Sequence, residues 1–229
     1  EKILVNNSLL TLDIDSNLDY LNNTGNKQYR DLGISYSSVT INPGITVSGT
    51  EDNQVGIAQV SSYPPVSLIN NGIISLTGEN AIGIYGQNAT LINNGTINLS
   101  GANSTGMYTS YGSLDNSATG IIKVSNNGVG LYGTNGTVTL NSGKIEFGDG
   151  GIGIYGTNIT PGSTPLYGTK DISITNSNSI KSTGINKGYG IIADNDTSGT
   201  SKITLNSGSI IDMSSVTNAA AGDLVGIYA

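Results

Sequence analysis

The chain has 229 residues, a formal net charge of −7, no histidine or cysteine, and only 11% charged residues. With no basic cluster to meet a phosphate backbone, nucleic acid is excluded as a partner. The missing residue types exclude disulfides, thiolate chemistry and imidazole catalysis, and no apolar run approaches the ~18 residues of a membrane-spanning helix.

In chain order, residues 1–38 carry no repeat and read as an N-terminal cap or an irregular first coil. From residue 39 onward a short phrase returns: glycine, an apolar residue and usually tyrosine. It stands at Val55-Gly56-Ile57-Ala58, Ile82-Gly83-Ile84-Tyr85, Thr105-Gly106-Met107-Tyr108, Val129-Gly130-Leu131-Tyr132 and Ile152-Gly153-Ile154-Tyr155. Further copies stand at Tyr189-Gly190-Ile191-Ile192 and Val225-Gly226-Ile227-Tyr228. Glycines 83, 106, 130 and 153 are spaced by 23, 24 and 23 residues. A fixed period of this length marks a stacked array, because one repeat cannot bury its apolar face alone. The last copy opens a coil that is not finished, so the chain is expected to be part of a longer protein.

Between these phrases lie two more short alternating runs, clearest in Thr90-Leu91-Ile92-Asn93-Asn94-Gly95-Thr96-Ile97-Asn98-Leu99. Each period then holds three short strands and three polar turns. Residues 39–229 are therefore expected to form an all-β, right-handed parallel β-helix, with three strands and about 23–24 residues per coil. Alternation sends Ile82 and Ile84, Val129 and Leu131, and Ile152 and Ile154 inward. The pairs Ile74/Leu76, Ile97/Leu99, Ile122/Val124 and Ile145/Phe147 join them from another strand. Asn70, Asn93, Asn141 and Asn206 are expected to stack at one turn position and hydrogen-bond along the rod.

The Gly-Ile-Tyr-Gly run, Leu-Ile-Asn-Asn-Gly-Thr-Ile and Leu-Asn-Ser-Gly-Lys-Ile resemble repeats in passenger domains of large fusobacterial type Va autotransporter adhesins. The likeness covers roughly residues 39–229. It implies display on the bacterial cell surface, with an outer-membrane barrel elsewhere in the parent chain. It also implies partners among host cell-surface receptors, including immunoglobulin-like ones, host glycans and other bacteria. No binding residue transfers, because the matching residues are scaffold.

Two sets of residues are binding candidates. If the neighbouring aliphatics point inward, Tyr85, Tyr108, Tyr132 and Tyr155 stack on one outer face, as an interface or simply as bracing for the coil. Departures from the period are the second set, since insertions in a solenoid become surface loops. The excess at 157–170 carries Pro161, Pro165, Tyr167 and Lys170, a shorter excursion carries Tyr63 and Pro64, and 194–201 and 214–223 are also long. Asp194-Asn195-Asp196 resembles the opening of a calcium loop, but Leu205 holds the place of its closing glutamate, so it reads as a polar turn. Asp115, Glu146 and Asp149 fall on different coils and Arg30 is the only arginine. These scattered acids argue against catalysis, and the resemblance implies a non-catalytic adhesin segment, with no metal or cofactor expected. A spacer stalk and a carbohydrate-active enzyme of the same fold are the rivals.

Overall fold

A computed structural model describes residues 38–59, 66–158, 171–195 and 199–229, together with the backbone of three short strands before residue 38. Three eight-stranded parallel sheets run side by side along these residues. One coil contributes Ala89–Asn93 to the first sheet, Thr96–Leu99 to the second and Thr105–Ser110 to the third, and Ser113–Asn116 then begins the next coil in the first sheet. Each strand pairs with its counterparts one coil below and above: Leu91 with Leu68 and Leu114, Ile97 with Ile74 and Ile122, Tyr108 with Tyr85 and Tyr132. The chain is thus a parallel β-helix with three strands per coil, as the repeat requires. Leu10–Leu12, Ser16–Asn17 and Asp31–Ile34 add a short strand to the end of each sheet.

The core is a bundle of aligned columns. Leu68, Leu91 and Leu114 come from the first sheet, Ile74, Ile97, Ile122 and Ile145 from the second, and Ile84, Met107, Leu131 and Ile154 from the third, all fully buried. Each such aliphatic contributes about 1.5–3 kcal/mol by leaving water.

One inward assignment is corrected. Ile82, Val129 and Ile152 are only half-buried and sit on the outer side of the third sheet. Gly83, Gly130 and Gly153 take the inner side in their place. A Cβ on Gly83 would lie 2.6 Å from Ile97 Cγ2 and 2.5 Å from the Gly106 carbonyl oxygen. The strand pairing skips this glycine, matching Thr105 to Ile82 and Met107 to Ile84. Two consecutive residues, the glycine and the aliphatic after it, therefore face the core. Only a residue without a side chain fits against the second-sheet isoleucines.

The asparagine ladder is present with a different membership. Asn70 donates to Asn93 at 2.9 Å, Asn93 to Asn116 at 2.9 Å, Asn116 to Asn141 at 2.8 Å and Asn141 to Asn176 at 2.6 Å. Asn206 is outside it, because Asn176 pairs in register with Leu205, and Asn206 donates instead to Ser177 Oγ. Between the second and third sheets, Asn53, Asn80, Asn103 and Asn127 occupy one turn position at φ between 54° and 61°. Asparagine tolerates this left-handed conformation better than other side chains.

Candidate functional site: the outer face and edge of the third sheet

The strands Ile82–Gln87, Thr105–Ser110, Val129–Thr134 and Ile152–Thr157 contain no charged residue. Their outward side chains make three columns along the rod. Ile82, Val129 and Ile152 belong to the first, four tyrosines form the second, and Gln87, Ser110 and Thr134 belong to the third. Ring centroids are 5.4 Å apart for Tyr85–Tyr108, 4.9 Å for Tyr108–Tyr132 and 5.0 Å for Tyr132–Tyr155. The last two pairs are near-parallel and stacked, at 18° and 12°. The column ends in register at Ala58 on one side and Ile192 on the other. Burial raises the Tyr85 and Tyr132 hydroxyls above their ordinary value, with neighbouring tyrosines adding to the effect. Among the described residues, none of the four hydroxyls is hydrogen-bonded within the protein.

Beyond the third column lies the connection back to the first sheet. In three coils it is tight: Gln87 to Ala89, Ser110 to Ser113 and Thr134 to Val138. In three others it is long: Gln59 to Val66, Thr157 to Ile172 and Asp194 to Ser201. Three of the expected long connections are therefore flanked by strands of the third and first sheets, at the same corner. The fourth, at 214–223, lies between Ile210–Asp212 and Leu224–Tyr228, at the second-to-third corner. Tyr63, Pro64, Pro161, Pro165, Tyr167 and Lys170 lie outside the described residues, as does Asp196 of the calcium-like string. Leu205 closes a strand, as the sequence suggested.

The sequence reading missed Tyr111. In the tight connections Asn88 has φ of 52° and Asn135 of 57°, and Tyr111 holds the same place at 59°. Its N–H reaches the Thr134 carbonyl at 3.3 Å, longer than the 2.7 Å of Asn88 to Ser110. An aromatic in the left-handed region is strained where asparagine is not. A coil-by-coil comparison of the residue after each third-sheet strand would have exposed it.

The acids do not converge. Asp115 faces outward from the first sheet, in register between Ile92 and Leu140, and burial raises its pKa. Glu146 pairs with Lys123 at 2.9 Å on the second sheet. Asp149 accepts hydrogen bonds from the Asn186 side chain at 2.6 Å and from the Lys187 and Asn186 amides at 2.8 Å each, which lower its pKa. Among the described residues no group of three or more metal-capable side chains occurs, and no helix is long and apolar enough to cross a membrane.

No curated protein and no solved structure matches the chain. A family model described as the BigA third pectate lyase-like domain matches residues 2–158, well over half the length. With its stacked three-strand coils and its repeat, the chain belongs to the BigA third pectate lyase-like domain family.

Proposed function

We propose that this chain is a non-catalytic adhesive segment of a bacterial surface protein, displayed outside the cell through an outer-membrane anchor in the autotransporter manner. It binds host cell-surface receptors, immunoglobulin-like ones among them, host glycans or partner bacteria. The observation that carries this reading is the gathering of three long connections at one corner of an otherwise regular rod. Loops held on a rigid scaffold are where binding residues concentrate. Tyr111 supports it, because strain at an aromatic on that corner is retained against a locally better asparagine. The dispersal of Asp115, Glu146 and Asp149 favours binding over sugar cleavage, which needs paired acids.

The test is binding of the labelled 229-residue chain to human cells and to other bacteria, with an assay for new reducing ends or unsaturated sugars on polysaccharide. Saturable binding without cleavage is the expected result. A folded chain that binds neither cells nor bacteria leaves a spacer stalk, and sugar release makes it an enzyme.

A further inference from the structure

We propose that the outer face of the third sheet, over the coils from Ile82 to Thr157, is a track for a neutral, extended polysaccharide lying parallel to the rod axis. This rests on the reading of the chain as a binding protein and names a ligand class for this face.

Three observations carry it. The first is periodicity. The tyrosine rings repeat every 4.9–5.4 Å, and an extended β-1,4-linked hexose chain advances by a similar distance per ring. Consecutive sugars can therefore meet the same side chains coil after coil. A peptide strand presents side chains on one face only at every second residue, about 6.6 Å apart, and is out of step with the rings at the next coil.

The second is chemistry. A pyranose offers C–H patches on its faces and hydroxyls around its rim. The columns offer apolar surface from Ile82, Val129 and Ile152, ring edges from the stacked tyrosines, the Gln87 amide, and the hydroxyls of Ser110 and Thr134, which accept from Asn135 and keep their own O–H to donate. The tyrosine hydroxyls, unbonded within the described protein, add a donor and an acceptor at every coil.

The third is charge. These four strands carry none, and the chain is at −7 overall, so no cation on the face itself compensates the carboxylates of an acidic polymer. The face selects a neutral glycan over a uronate, despite the name of the family.

The experiment is titration calorimetry of the whole chain with cello-, manno- and chito-oligosaccharides of two to six rings, beside hexagalacturonate. At least one neutral series is expected to bind, tightening severalfold with each ring up to about four, the number of stacked tyrosines, and then levelling off. Replacing Tyr108 and Tyr132 together by Ser should weaken the hexamer about tenfold or more. Gln87→Ala with Thr134→Ala leaves the rings stacked and should still weaken it severalfold, at an unchanged melting temperature. The proposal is overturned if no neutral series binds, if affinity ignores length, if hexagalacturonate binds as well as the neutral hexamers, or if the Gln87/Thr134 variant binds like the parent. A chain that adheres to cells but binds no oligomer defeats the track and leaves adhesion standing. Oligomer binding without adhesion does the reverse.

Discussion

Glycine in this rod is a packing residue, chosen for the side chain it lacks. A Cβ on Gly130 would lie 2.5 Å from the Gly153 carbonyl oxygen and 2.6 Å from Ile145 Cγ2, so backbone would have to move. Gly226 holds the same place in the last coil, where a Cβ meets nothing within 4 Å. Gly130→Ala should therefore destabilise by about 1–3 kcal/mol, while Gly226→Ala should stay within about 0.5 kcal/mol. Urea unfolding of the two variants makes the comparison, and equal losses would mean the glycine does not face the core. The Gly-Ile-Tyr phrase was legible in the sequence, but which aliphatic beside the glycine points inward was not. Ile82 and Ile84 are chemically identical, and the doublet facing the core arises only when the second-sheet isoleucine fills the glycine's place. Tyr111 is the opposite case, a residue too large for its backbone. Tyr111→Asn should raise stability by about 1 kcal/mol, read as a higher denaturation midpoint. A lower midpoint would show that packing of the ring outweighs its strain.

At the scale of elements, turns and ladders set the register. The asparagine column was legible at Asn70, Asn93 and Asn141, where a coil writes Asn-Asn-Gly or Asn-Ser-Gly, but the same signature misled at Asn206-Ser207-Gly208, whose register is shifted by one residue. The column was missed at Asn116, inside Leu-Asp-Asn-Ser, and at Asn176, after the longest departure from the period, because equivalence there depends on strand pairing. The ionisable groups on these elements give a pH profile whose signs are fixed. Burial holds the Tyr85 and Tyr132 hydroxyls above their ordinary 10.0, so the folded chain keeps protons that the unfolded chain releases. Stability therefore falls as pH rises above about 10. Lys187, raised above 10.5 first by its hydrogen bond to Asp223, loses its contribution in the same alkaline range. Asp149 and Asp212 are lowered from 3.8, mainly by hydrogen bonds from Asn186 and Ser214, so their contributions disappear as the pH falls below that value. Asp115, raised by burial, opposes them and favours the folded state in acid. Melting temperature should be level between about pH 5 and 9 and decline on both sides. Tyrosine ionisation followed by absorbance should come partly above the ordinary range. A titration with every tyrosine at its ordinary value would contradict the half-buried column.

At the scale of the molecule, a regular rod carries irregular connections. The three-strand period could be read from the sequence, because each coil repeats the same burial problem. The excess lengths near 157–170 and 194–201, and the excursion around Tyr63, were also visible. Their convergence was hidden, since a corner is defined only once the strands on either side are assigned to sheets. That convergence is the basis for the proposal that adhesion resides at the third-to-first corner. The most direct measurement replaces 60–65, 158–171 and 195–200 together by the Asn135-Gly136-Thr137 connection of a regular coil. Saturable binding of this variant to the cells or bacteria that the parent chain binds is then compared at equal folded concentration, checked by circular dichroism. A rod that folds and no longer binds is the predicted result. Undiminished binding by the shortened rod would contradict the account.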